Sequence, residues 1–198
     1  LAGFRYTDFS APAGLTLLGD ASLVNTRLRL NPSKPFVTGG AWHVARQYVA
    51  DGFSTTFSFQ IGDVMLDGAD GFAFVIQNDD AAILGGGGGS MGYSFIRNSL
   101  AVEFDTNQNA DIGDPSNNHL SIMTRGGEPE DANHNFALAT TSAIPNLSDG
   151  ATHNATISYN GGALKVWIDG SPAPALNQAI NLSSSLKLSD GYAWVGFT

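Results

Sequence analysis

LAVEFDTNQNADIGDPSNNH, residues 100–119, opens as a strand and closes as a loop of oxygen donors. From Leu100 to Asp105 apolar residues alternate with others, and Pro and Gly are absent. A period of two sets Leu100, Val102 and Phe104 on one face, with Ala101, Glu103 and Asp105 on the other. Two carboxylates on a strand with an apolar back require compensation, because burial disfavours the charged form. Asn107, Asn109, Asp111, Asp114 and His119 follow as candidates for that work. Oxygen donors suit Ca²⁺, and carboxylates beside an imidazole suit a Mn²⁺-like or Zn²⁺-like ion. The stretch reads as a two-ion site that makes the loop a rigid platform. The competing reading is a solvated turn, since Asp and Asn bond their own backbone in turns.

An EF-hand is excluded. Asp105, Asn107 and Asn109 have its spacing, but Ala110 holds the sixth position where Gly is needed, and Ser116 the twelfth where Glu is needed. The residues Glu103-Phe104-Asp105-Thr106, Asn109, Asp114-Pro115 and His119 resemble, offset for offset, the metal-binding signature of legume (L-type) lectins. The resemblance implies an all-β fold, an antiparallel β-sandwich of the jelly-roll kind. It implies that Glu103, Asp105, Asp114 and His119 hold a transition ion, usually Mn²⁺. It implies Ca²⁺ on Asp105, Asp114, the Asn109 side chain and the Asn107 carbonyl.

Two further stretches extend the resemblance. Gly68-Ala69-Asp70-Gly71 is first a turn signal. In legume lectins the Asp of this motif receives sugar hydroxyls and follows a cis bond, so the resemblance implies a cis Ala69–Asp70 bond held by the Ca²⁺ platform. Such a bond costs roughly 3–4 kcal/mol outside proline and persists only where its surroundings enforce it. The run Gly85 to Gly89 lacks the Gly-Lys-Ser/Thr of a phosphate loop and lies between strong strand patterns, which argues against a linker. Glycines let a ligand approach the backbone. The resemblance implies a backbone N–H donor to the sugar there, from Gly88 or its neighbours Gly87 and Gly89. Asn109 then serves twice, with its oxygen on Ca²⁺ and its NH₂ on the sugar.

The remaining chain reads as strands and turns. Phe53 to Ile61 alternates as a half-buried antiparallel strand, and Phe72 to Gln77 is a second strand. Leu15–Leu18, Ser22–Leu30, His119–Met123, Leu138–Ile144, Thr152–Tyr159, Ala163–Ile168 and Tyr192–Phe197 read as extended, with a hairpin turn at Asn160-Gly161-Gly162. Ile180 to Leu188 reads as a short helical or irregular turn. Phe4, Tyr6 and Phe9 lie in an opening segment that resembles the family's first strand. Trp42 reads as core rather than as a sugar platform. His43 and His134 fit no metal spacing and receive no role.

The 198 residues suit a single domain, 1–198, and 42% hydrophobic content supports a packed core rather than disorder. A net charge of −9 argues against nucleic acid and anionic membranes. No apolar run reaches spanning length, so no membrane insertion is expected. Cysteine is absent, so redox chemistry is silent on compartment. The resemblance implies a secreted or cell-surface protein whose partners are glycans, and family members often form a homodimer through the flat back sheet.

The sequence departs from the family pattern. Asn107 stands where an aromatic ring normally stacks on the sugar, a loss on the order of 1 kcal/mol. The resemblance leads to the expectation of a fourth sugar-contacting loop and a last strand beyond Thr198, and a domain without them would carry an unpaired sheet edge and hide its sugar specificity. Two other functions compete with sugar binding. A jelly-roll glycoside hydrolase needs two carboxylates, and Gln108 stands where the second Glu would be. An adhesion or spacer domain would keep the sandwich and bind no sugar.

Overall fold

The alternation FSTTFSF becomes the strand on which two sheets are stacked. The computed structural model describes residues 3–62 and 69–198, so Gly68 of the turn motif and Leu1 and Ala2 lie outside the described residues. In chain order the strands are β1 (Leu15–Gly19), β2 (Ser22–Val24), β3 (Arg27–Arg29), β4 (Gly39–His43) and β5 (Gln47–Tyr48). They continue with β6 (Phe53–Phe59), β7 (Gly71–Gln77), β8 (Ser99–Asp105), β9 (His119–Met123) and β10 (Ala137–Thr141). The last are β11 (His153–Tyr159), β12 (Ala163–Ile168), β13 (Leu176–Ala179) and β14 (Tyr192–Phe197). A single helical turn, α1 (Leu182–Ser185), is capped by the Asn181 side chain.

The larger, eight-stranded sheet has the order β1-β4-β14-β7-β8-β9-β10, with β5 also paired to β14. The smaller runs β13-β12-β11-β6, and every pairing is antiparallel. This is the all-β sandwich that the alternation predicts. Phe57 and Phe59 of β6 reach across to Phe72 and Phe74 of β7, Phe104 of β8 and Phe197 of β14. Phe72 and Phe104 stack with centroids 4.6 Å apart. Such aromatic pairs add about 0.5–1.5 kcal/mol each beyond the area they bury.

The large sheet is covered on its other face too. Trp42, Val75, Tyr93, Ile96, Ala101 and Met123 form a second buried cluster, and the Trp42 indole donates to the Ile83 carbonyl at 2.7 Å. Trp42 is core, as expected. All seven residues of β8 are buried, which places Glu103 and Asp105 inside the protein rather than on a wet face.

Two expectations are corrected. Ser22–Leu30 is not one strand but the hairpin β2–β3, turned at Asn25, whose φ is +55°. Asn accepts the left-handed region that breaks a continuous strand. Residues 3–14 form no strand. Phe4 instead stacks on His43 at 4.2 Å and Tyr6 on Phe9 at 5.5 Å, while the Phe9 N–H bonds Thr26 of the hairpin. Among the described residues no helix is long and apolar enough to cross a membrane.

Candidate metal and ligand site

Register builds the site. Asp105 at the end of β8 lies opposite His119 at the start of β9, and Glu103 lies opposite Ser121. On the other side Gly71 of β7 lies opposite Asp105. A Cβ on Gly71 would come 2.2 Å from the Phe104 carbonyl oxygen, and its φ is +122°, so only glycine lets Asp70 close against the end of β8. The Ala69–Asp70 bond is cis, as the resemblance implied. The Asp70 carbonyl accepts from Thr106 N–H at 3.0 Å.

The loop after β8 folds back on its own carboxylates. Asp105 accepts from Asn107 N–H at 2.9 Å, and Asp114 from Asn109 N–H at 2.7 Å. The Asn109 carbonyl accepts from Ile112 N–H at 3.1 Å. Asp105, Asp114 and His119 bring ligand atoms within 4.8 Å of one another, and so do Glu103, His119 and His134. The predicted residues Glu103, Asp105, Asp114 and His119 are thereby brought together, and Asn107 and Asn109 flank them.

The electrostatics of the cluster favour a cation. Glu103 is 2% exposed, and burial pushes its carboxyl up to about 8 against the lowering bond from Tyr93 O–H. Burial likewise pushes Asp105 up to about 8, aided by the charges of Glu103 and Asp114. Among the described residues no lysine or arginine forms an ion pair with Glu103, Asp105 or Asp114. Buried carboxylates of like charge ionise together only beside a compensating cation.

Three atoms test the fit directly. His119 is fully buried, and its Nδ1–H donates to the Ser116 carbonyl at 2.9 Å. That bond fixes the tautomer and leaves Nε2 buried without a partner. Burial lowers the imidazole to about 4, so it is a neutral ligand at ordinary pH. His134 Nδ1 is orphaned in the same way. Asn109 Oδ1 lies 3.3 Å from Asp70 Oδ1 and 3.2 Å from Asp114 Oδ2, oxygen against oxygen. Such a cluster requires a cation among the oxygens or an amide turned over to donate. The donor set therefore fits a bound cation.

The glycine run wraps the open side. Gly88 has φ +63°, and its Cβ position faces Asp70 Oδ2 at 3.8 Å. Gly89 lies against Asn109, where a Cβ would be 3.0 Å from the amide nitrogen. Gly87 packs on Thr38 instead. A hollow of about 190 Å³ adjoins the run, lined by Gly87, Gly89, Ser90, Asn109, Asp111 and Ile112, together with Asp131 and Ala132. Asp70 and Gly88 stand outside that lining. Phe95, 70% exposed, lays its ring against Gly86.

Sequence reasoning missed four contributors. Tyr93 donates to Glu103, Glu130 is a buried residue of the loop 125–135, Asp131 lines the hollow, and His134 joins the ligand cluster. All four lie outside the 100–119 stretch, Tyr93 shortly before it and the other three past its end. Their spacing carries no ligand signal.

The family model described as the legume lectin beta-barrel domain matches residues 7–195. The chain belongs to the legume lectin family. A galactose-binding lectin of Arachis hypogaea is 30% identical over 156 residues, covering 73% of this chain and 53% of the relative. A lectin of Leucomphalos mildbraedii is 31% identical, covering 83% of this chain and 74% of the relative. The chain thus spans about half the length of the Arachis lectin. The structure of peanut lectin with a nine-residue peptide superimposes with a TM-score of 0.79 at 26% identity, over 98% of this chain and 87% of that one. The family is one of lectins rather than enzymes, and its members generally bind metal ions.

Proposed function

We propose that this lectin domain binds glycans at the junction of Asp70, Gly88 and Asn109, on a platform stiffened by Ca²⁺ and Mn²⁺ or a similar transition ion. In this reading Glu103, Asp105, Asp114 and His119 hold the transition ion. Asp105, Asp114, Asn109 and the Asn107 carbonyl hold Ca²⁺. Asp70 accepts sugar hydroxyl protons, a backbone N–H of the Gly87–Gly89 run donates, and the Asn109 NH₂ donates. The ions supply charge compensation for three buried carboxylates and lock the loop that carries Asn109. Every other contribution comes from the chain. The β8–β9 register places the ligands, Gly71 brings in Asp70, and Gly89 leaves room for the Asn109 amide.

The observation that carries the reading is the convergence of Asp70, Gly88 and Asn109 beside an uncompensated carboxylate cluster. A galactose-binding relative and the receptor-kinase relatives with L-type lectin domains support a glycan partner and a secreted or cell-surface placement. A glycan array run with Ca²⁺ and Mn²⁺ and repeated in chelator tests it. Metal-dependent signals that Asp70→Ala removes, with metal affinity retained, are expected. Silence under both conditions defeats sugar binding.

A further inference from the structure

We propose that His134 Nδ1 is a further ligand of the transition ion, so that the site presents two imidazoles to the metal. The inference rests on the metal site proposed above. His134 sits in a single 3₁₀ turn, His134–Phe136, just before β10. Its N–H bonds the Ile112 carbonyl at 2.8 Å, which ties it to the metal loop. Its side chain is 14% exposed, and Nδ1 lies 3.8 Å from Asp114 Oδ1. The ring stands edge-on to His119, with centroids 5.2 Å apart. A ring nitrogen of His134 lies within 4.8 Å of ligand atoms of Glu103 and His119. Ligands on opposite sides of a metal with bonds of about 2.1 Å are separated by about 4.2 Å, a spacing of the same order.

The hydrogen bonds of the ring mark Nδ1 as the free nitrogen. His134 Nε2 lies 2.9 Å from Thr140 Oγ1, which in turn lies 3.1 Å from Ser121 Oγ. A hydroxyl oxygen can accept the Nε2–H, and this chain of hydroxyls occupies Nε2. In that tautomer of the neutral ring Nδ1 carries the lone pair, and it is the atom left buried without a hydrogen-bond partner. The alternative, an Nδ1–H donor to Asp114, fails on distance, since 3.8 Å exceeds hydrogen-bond range. A hydroxyl relay of this kind orients a metal-ligating imidazole.

The consequence is selectivity. Imidazole favours Zn²⁺, Co²⁺ and Ni²⁺ over Mn²⁺, which prefers carboxylate and water. A second imidazole biases this site toward the nitrogen-loving ions.

The test is ¹⁵N NMR of the histidine rings in the wild-type chain during Zn²⁺ titration, with Zn²⁺ and Mn²⁺ affinities of wild type and His134→Gln measured beside it. The expected result is a metal-induced shift of both His119 Nε2 and His134 Nδ1. His134→Gln should lose roughly 10–100-fold in Zn²⁺ affinity and less for Mn²⁺, with unfolding in chelator unchanged. If only His119 responds, His134 is no ligand, while the metal site stands. If neither ring responds and no divalent ion binds, both readings fall. Because the NMR arm needs no variant, misfolding of His134→Gln leaves the outcome decided.

Discussion

Asn107 donates its side-chain amide to Asp70 Oδ1 at 2.9 Å. The residue that replaces the family's stacking ring thus holds the carboxylate assigned to receive the sugar. One carboxylate oxygen is occupied by Asn107, and the other faces Gly88. The substitution that removes a platform also aims an acceptor.

Asn107→Ala should therefore weaken glycan binding with metal affinity largely retained, because the backbone carbonyl remains. A half-buried bond to a carboxylate is worth about 1 kcal/mol, roughly fivefold in Kd. Asn107→Asp should cost more, since it sets a like charge against Asp70. Glycan titration at saturating metal checks both, and an Asn107→Ala protein with wild-type affinity would show that Asp70 needs no such support.

Gly89→Ala should damage the same site from the other side. The added Cβ would sit 3.0 Å from both Cγ and Nδ2 of Asn109, so the amide must move. Overpacking of this kind costs about 1–3 kcal/mol. Ca²⁺ affinity and glycan affinity should fall together. Gly162→Ala, with nothing within 4 Å of its Cβ, is the matched control. Equal behaviour of the two variants would detach the glycine run from Asn109.

Metal removal should lower thermal stability. A ligand that binds only the native state at about 100 times its Kd adds about 2.7 kcal/mol. In a domain of this size that is about 5–11 °C in Tm. Differential scanning calorimetry with Ca²⁺ and Mn²⁺ against chelator measures it, and Glu103→Gln should shrink the difference. Coincident curves would mean that the buried carboxylates are simply protonated.

His153 should make stability depend on pH away from the site. It bridges two acids, with Nδ1 2.8 Å from Asp169 and Nε2 3.1 Å from Asp149. Burial lowers its pKa, but the bonds and charges of Asp169 and Asp149 together outweigh that and raise it. A raised imidazole pKa favours folding below the unfolded value, about 6.5, and that contribution is lost as pH rises through the folded value. The two aspartates are held low, and their contribution disappears as pH falls below about 4. The Tm difference between wild type and His153→Gln should be greatest between those limits and shrink as pH rises through the raised imidazole value. A difference independent of pH would mean that the ring matters only for packing against Phe59.

The amino-acid sequence by itself determined the sandwich, because alternation in FSTTFSF and LAVEFD fixes which side chains share a sheet face whatever lies opposite. It also singled out Glu103, Asp105, Asn107, Asn109, Asp114 and His119 as candidate ligands, since the end of β8, the loop after it and the first residue of β9 carry them and local spacing is enough. Only the tertiary structure decided what closes that set. His134 reaches it through the β9–β10 pairing and the Thr140–Ser121 relay, Tyr93 and Glu130 arrive from covering loops, and Asn107 meets Asp70 across 37 positions of chain. Contacts between remote segments follow from sheet register and loop packing, and neither is written in the spacing of any single stretch. The break at Asn25 and the unstranded opening segment have the same cause, since partner and turn geometry outweigh local pattern there.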